Sequence, residues 1–154
     1  MTIRRFTAGV LITAFIASSA VGLAVAQSTP VEFIAARQAG YKRTGENAAE
    51  IKKALEGGQD MAPLVARAQE IADWSRKIPS MFPPGSDTGA KTGALPTIWT
   101  DRPGFEAAAA NLGVQADKLV AVLKTGDRAA ATTQFGATGA TCGACHRTYR
   151  ARTS

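Results

Sequence analysis

Residues 127–150 read DRAAATTQFGATGATCGACHRTYR, and the setting of the two cysteines in this stretch decides the fold. Asp127 follows Gly126, so an N-cap stands directly after a stop signal, and alanine, the strongest helix former, fills the turn behind it. Phe135, Thr138, Cys142, Cys145 and Tyr149 then recur at intervals of three and four, which puts them on neighbouring turns of one helix. The stretch predicts a helix from Asp127 to about Arg150, with Ala151 to Ser154 left to fray. The cysteine pair sits near the end of a helix, not after a strand.

The segments before it repeat the helical pattern. A first helix is expected from about Pro30 to Leu55, with Ile34, Gln38, Tyr41, Gly45, Ala48 and Leu55 on one stripe and Gly57-Gly58 as its stop. Gln38 and Gly45 are odd core residues, a hint that something other than side chains fills the space beside them. A second helix is expected to start near Asp60, capping Pro63 and Leu64, and to carry Leu64, Ala68, Ile71, Ser75 and Ile78 until Pro79 ends it. From Ser80 to Thr100 the helical pattern stops. Pro83, Pro84 and Pro96 mark a long connection, with Ile98 and Trp99 pinning it to the core. Thr100 or Asp101 caps a third helix with Pro103 in its first turn, and Phe105, Ala109, Leu112, Ala116, Leu119 and Leu123 form its buried face. Val, Ile and Thr nowhere alternate with polar residues as a strand requires. The fold class is all-α, an antiparallel four-helix bundle with short, long and short connections.

The 154 residues, 45% apolar and 19% charged, suit one globular domain and rule out a disordered or collagen-like chain. Residues 1–26 have the form of a secretory signal: Arg4-Arg5, an uncharged stretch from Phe6 to Val25, then Ala24-Val25-Ala26 before Gln27. The alternative, an uncleaved anchor, is weakened by Thr13, Ser18, Ser19 and two glycines inside the run. Cleavage leaves residues 27–154 in a single domain, expected in the periplasm. The charge of +6 on the full chain falls to +4 when Arg4 and Arg5 leave with the signal, 16 basic residues then standing against 12 acidic ones. So small a surplus, with no run of Lys and Arg longer than two, argues against nucleic acid as a partner. No second apolar segment is long enough for a membrane.

Cys142-Gly143-Ala144-Cys145-His146 is C-x-x-C-H, the attachment sequence of c-type haem. Two thiols on one helical turn reach the two vinyl groups at one edge of the macrocycle, and the next residue offers an imidazole to the iron. His146 is the only histidine of the chain. Other readings fit worse. A thioredoxin-like pair belongs at a helix N-terminus after a strand, a Cys142–Cys145 disulfide would close a small strained loop, and structural zinc asks for four ligands where three are at hand.

With these residues in place the chain resembles the cytochromes c-prime and their low-spin c-556 relatives. Arg37-Gln38-x-x-Tyr41-Lys42-x-x-Gly45, Phe82-Pro83-Pro84-Gly85, Pro96-x-Ile98-Trp99 and C-x-x-C-H-x-x-Tyr149-Arg150 carry the resemblance. It implies a bundle with haem c inside, held through Cys142 and Cys145, and often a homodimer packed through the first two helices. It also implies that Arg37 and Gln38 hydrogen-bond a haem propionate, and that Arg150 is the basic residue beside the proximal histidine, His146.

Reactivity turns on the sixth position of the iron. An antiparallel bundle sets His146 level with Arg37, Gln38 and Tyr41, so Tyr41 is expected over the other haem face, as a gate or simply as a core aromatic. A phenol with a pKa near 10 is a poor ferrous ligand. Met61, about 25 Å away along the second helix, is packing. Met81 lies at the right end and is the alternative ligand, though a core plug beside Phe82 is the better reading. In the low-spin relatives the ligating methionine stands where this chain has Tyr41, which points to the high-spin, five-coordinate type. The expected protein binds small gases such as nitric oxide and carbon monoxide, exchanges single electrons with a small redox partner, and is not an enzyme. Its alternatives are a six-coordinate c-556-type carrier through Met81 and, remotely, a thiol oxidoreductase without haem.

Overall fold

The computed structural model describes residues 28–152; the signal segment and its cleavage site lie outside them. The chain forms α1 (Pro30–Glu56), α2 (Leu64–Lys77), a 3-10 turn (Pro79–Met81), α3 (Thr97–Thr100), α4 (Arg102–Thr125) and α5 (Arg128–Tyr149). The four long helices are those the sequence predicts. None of the described helices is long and apolar enough to cross a membrane.

Local chemistry sets the boundaries. Thr29 and Glu32 close a capping box at α1, the Glu32 amide donating to Thr29 Oγ1 at 3.3 Å and the Thr29 amide to Glu32 Oε2 at 2.6 Å. Asp101 caps α4 by accepting from the Gly104 amide, and Asp127 caps α5 by accepting from the Ala130 amide. Gly126 ends α4 with φ of +78°, a left-handed conformation that glycine adopts without strain.

Three expectations need correction. Asp60 does not cap α2: Pro63 has no amide hydrogen, the Leu64 amide donates to the Met61 carbonyl, and Asp60 accepts instead from Ala62 at 3.0 Å. The long connection is not irregular throughout, since Pro96 starts the single turn of α3. Nor does Ala151 fray, because its amide donates to the Gly93 carbonyl at 2.8 Å, while the Leu95 amide donates to Tyr149.

Packing places the core at one end and leaves room at the other. α4 lies between α2 and α5, and α1 packs along α2 but barely reaches α5. Ile51, Leu55, Leu64, Ala68, Leu119, Leu123 and Ala131 close the bundle where α1 and α4 end and α2 and α5 begin. Toward the opposite end the α1 face carries Gln38, Gly45 and Ala48, which line a cavity. The long connection is pinned as expected: Ile98 is buried and Trp99 Nε1 donates to the Pro83 carbonyl at 3.1 Å. Arg102 adds bonds to the carbonyls of Phe82 and Pro79.

Tyr149, buried at the end of α5, donates its hydroxyl to Asp101 Oδ2 at 2.7 Å, and that bond with burial and the aspartate charge pushes the phenol up to about 12. A pKa raised above its unfolded value near 10 stabilises the fold at lower pH and is lost as the phenol ionises. Stability is therefore expected to fall between pH 10 and about 12. Tyr149→Phe should flatten that slope in denaturant titrations.

Candidate functional site

The cavity between α1 and α5 has a volume of about 580 Å³ and a mainly apolar wall. The residues expected to hold or flank the haem, Met81 apart, all reach it: Arg37, Gln38 and Tyr41 from α1, and Cys142, Cys145, His146 and Arg150 from the end of α5. Antiparallel packing alone accounts for this meeting, since residues early in one helix and late in the other share an end of the bundle.

Cys142 and Cys145 form no disulfide and are half-buried, and burial pushes both thiols above the ordinary cysteine value. A redox-active thiol needs the opposite shift, so the pair is poorly disposed to disulfide exchange. His146 lies at the rim, and partial burial and the charge of Arg150 lower its pKa. Both effects favour the neutral imidazole, the form that binds a metal. Among the described residues no group of three or more His, Cys, Asp and Glu is arranged to hold a bare metal ion.

The opposite wall is aromatic. Tyr41 meets Trp74 edge-on, with centroids 5.6 Å apart, and leans on Phe82 at 6.5 Å. Burial, the largest influence on Tyr41, pushes its phenol further up, so it stays protonated. Met81 is not in this wall. Its side chain packs against the core while its carbonyl accepts from Arg37 at 3.5 Å.

Arg37 and Gln38 do more than the resemblance implies. Arg37 is 2% exposed and donates from Nη1 to Ser86 Oγ at 3.1 Å and from Nη2 to Thr92 Oγ1 at 2.9 Å, with its guanidinium 4.5 Å above the Phe82 ring. Burial lowers its pKa, partly offset by Tyr41 and Asp87. Gln38 Nε2 donates to the Lys91 carbonyl at 2.9 Å. The two residues tie the long connection to α1 and so build a side of the cavity.

Sequence reasoning missed Trp74 and the stretch Thr92–Gly93–Ala94, all of which line the cavity. Trp74 was legible: it stands three residues after Ile71 and four before Ile78, on the stripe already assigned to the core. Its ring lies against Gly40, where a Cβ would fall 2.1 Å from the indole. Gly40→Ala is thus expected to cost about 1–3 kcal/mol through overpacking, although alanine favours a helix interior by about 1 kcal/mol. A shift of the denaturation midpoint measures the balance.

The wall fits a haem. Two thiols on one turn, an imidazole beside them and an apolar volume are the donor set and space it needs. The indole Nε1 of Trp74 is buried without a hydrogen-bond partner among the described residues.

Comparison with known proteins agrees. A family model described as Cytochrome C' matches residues 32–150. The chain is 34% identical over 150 residues to the cytochrome c' of Allochromatium vinosum, covering 95% of this chain and 96% of that one. It is 42% identical over 91 residues to cytochrome c-556 of Agrobacterium tumefaciens, covering 59% of this chain and 72% of the relative. Among solved structures, a cytochrome c' with an unusual ligand-controlled dimer dissociation superposes with a TM-score of 0.79 at 34% identity, over 82% of this chain and 100% of that one. The nitric oxide complex of a cytochrome c' mutant from Alcaligenes xylosoxidans gives 0.73 at 26% identity, over 81% and 98%. Members of this family carry haem c covalently, here through Cys142 and Cys145, and the chain belongs to the cytochrome c' family.

Proposed function

We propose that this protein is exported to the periplasm, where it binds small gases and exchanges single electrons at a five-coordinate haem, without being an enzyme. The observation that carries the reading is the make-up of the cavity wall. Among the described residues it offers one imidazole, His146, together with Tyr41, Trp74, Phe82 and Leu112, but no methionine and no second histidine. The haem supplies an iron that changes oxidation state by one electron and takes a diatomic gas at an open position.

The chain's residues determine the rest. Cys142 and Cys145 anchor the macrocycle edge, and His146 presents its neutral imidazole as the axial ligand. Tyr41, held by Trp74 and Phe82, is the bulky gate on the far side. Arg37 brings a positive charge and two uncommitted N–H groups to a propionate, with Gln38 beside it. Arg150, next to His146, is the donor available to a gas on the proximal side. The nitric oxide complex of the Alcaligenes xylosoxidans relative supports the choice of ligand. Homodimerisation through α1 and α2 draws support from the relative with ligand-controlled dimer dissociation. A small redox protein is the expected electron partner.

Titration of the reduced protein with carbon monoxide and nitric oxide tests the reading. The expected result is a shifted Soret band at stoichiometric gas and faster uptake in Tyr41→Ala, by about tenfold if the ring blocks the approach at a cost of about 1.4 kcal/mol. Tyr41→Met should instead give a low-spin spectrum that resists carbon monoxide. A wild-type spectrum unmoved by either gas rejects the open site.

A further inference from the structure

Lys91 is far in sequence from Arg147, Arg150 and Arg152, yet pairing of the long connection with the end of α5 brings all four to one rim of the cavity. The Ala151 amide donates to the Gly93 carbonyl at 2.8 Å, the Leu95 amide to the Tyr149 carbonyl at 3.1 Å, and Ala94 pairs antiparallel with Arg150. The Lys91 carbonyl is held from α1 by Gln38 Nε2. Arg150 lines the cavity, and the other three adjoin wall residues: Lys91 beside Thr92, Arg147 beside His146, and Arg152 beside Ala151. Arg147 folds back along α5, so that its Nη1 would lie 3.4 Å from a Cβ placed on Gly143, the residue after Cys142 in the attachment sequence. Its charge therefore sits on the turn that fixes the haem edge.

These charges are unopposed. All four residues are exposed, and among the described residues none of them forms an ion pair. Cations on other faces are matched: Lys42 with Glu46, Arg43 with Glu70, Lys52 with Glu56, Arg76 with Asp117 and Arg102 with Glu106. No Asp or Glu among the described residues lines the cavity, and the chain from Arg128 to Arg152 holds none. Two acids at this end are already engaged, Asp101 by the Tyr149 hydroxyl and Asp87 by the charge of the buried Arg37. With the haem propionates met by Arg37 and Gln38, the four outer cations stay uncompensated.

We infer that this rim is the docking surface for an acidic one-electron redox protein, whose carboxylates meet Lys91, Arg147, Arg150 and Arg152 beside the haem edge at Cys142 and Cys145. The inference rests on electron exchange at the haem, and not on gas binding or on the coordination number of the iron. One electron passes from the reduced partner to ferric haem, leaving the partner oxidised and the haem ferrous, with no bond made or broken. Exposed charges around such a contact raise the rate of encounter and set its orientation, an effect that salt screens. An anionic lipid surface would meet the same charges but takes up no electron.

The test follows reduction of the haem-bearing protein by stopped-flow absorbance with three reductants: reduced plant-type ferredoxin as the acidic protein, ferrous EDTA as a small anion, and hexaammineruthenium(II) as a small cation. Ferredoxin and the anion should react faster as salt is lowered, and the cation more slowly. Lys91→Glu combined with Arg147→Glu should slow ferredoxin by about tenfold or more at low salt and remove the salt dependence for ferrous EDTA. Lys118→Glu combined with Lys124→Glu changes the net charge equally but on α4, toward the closed end of the bundle, and should leave both rates within twofold. Equal slowing by the two pairs would assign the effect to net charge and overturn the surface, as would a ferredoxin rate untouched by the first pair. Phosphatidylglycerol vesicles that retain the wild type and release the first pair, at an unchanged ferredoxin rate, would reassign the rim to a membrane. Binding of oxidised ferredoxin, read by calorimetry against salt, needs no electron flow. Its loss in the first pair alone upholds the surface even for a haem that none of the reductants reduces, a result that would reject electron exchange instead. Absence of that binding in the wild type overturns the proposal.

Discussion

Replacing Cys142 and Cys145 together by serine is expected to remove haem from the protein and with it the cooperative fold. The helices would still have their caps and alanines, so far-ultraviolet dichroism should keep most of its amplitude. The walls, however, would stand around 580 Å³ of unfilled space. At about 24 cal/mol per Å³ of cavity such a volume costs up to about 14 kcal/mol, a figure that entry of water at the open mouth reduces. The whole stability of a domain this size is about 5–15 kcal/mol. The cavity therefore collapses or the packing melts, leaving a compact, loosely packed state that binds hydrophobic dye and unfolds without a sharp transition. A serine pair that melts as sharply as the wild type would show that the cofactor is not part of the core.

The second large effect belongs to Arg37. Its charge is buried among hydroxyls, a carbonyl and the Phe82 ring, not beside a carboxylate. Arg37→Ala removes these hydrogen bonds from a charged donor, each worth about 1.5–3 kcal/mol gross of the hydroxyls' other partners. Ser86 and Thr92 keep those partners, Ser86 Oγ on the Pro83 carbonyl and Thr92 Oγ1 under the Ala94 amide. A net loss of about 3 kcal/mol is expected, read as a lower denaturation midpoint and faster amide exchange at Ser86. Arg37→Lys should recover little, because an ammonium cannot reach Ser86 and Thr92 from two branches at once.

Much of this was legible in the sequence because it is local. Asp127 and Gly126 mark the start of the last helix, and C-x-x-C-H near its end defines the attachment chemistry. The anomaly of Gln38 and Gly45 on an apolar stripe marked the cavity before any coordinate did. The errors are also local. Asp60 was read as a cap although Pro63 has no amide to offer, and the capping box of Thr29 and Glu32 went unread although its spacing is plain.

What escaped is long-range. Arg37 reaches Ser86 and Thr92 across 49 and 55 residues, and no periodicity in α1 says where the long connection returns. The same holds for Gly93 and Ala94, brought to the cavity by pairing with the chain beyond α5. Trp74 differs, since its position on the α2 stripe was readable but its unpaired indole depends on how tightly α1 approaches at Gly40.

The central claim is a haem bound to His146 with its other face left open. Resonance Raman spectroscopy of the reduced, gas-free protein tests it most directly, because an iron–histidine stretch is seen only when ferrous iron is high-spin and has no second axial ligand. The account predicts that stretch, together with marker bands of five-coordinate high-spin haem, and its loss in His146→Ala. Marker bands of six-coordinate low-spin haem in the wild type would contradict it and return Met81, or another side chain, to the sixth position.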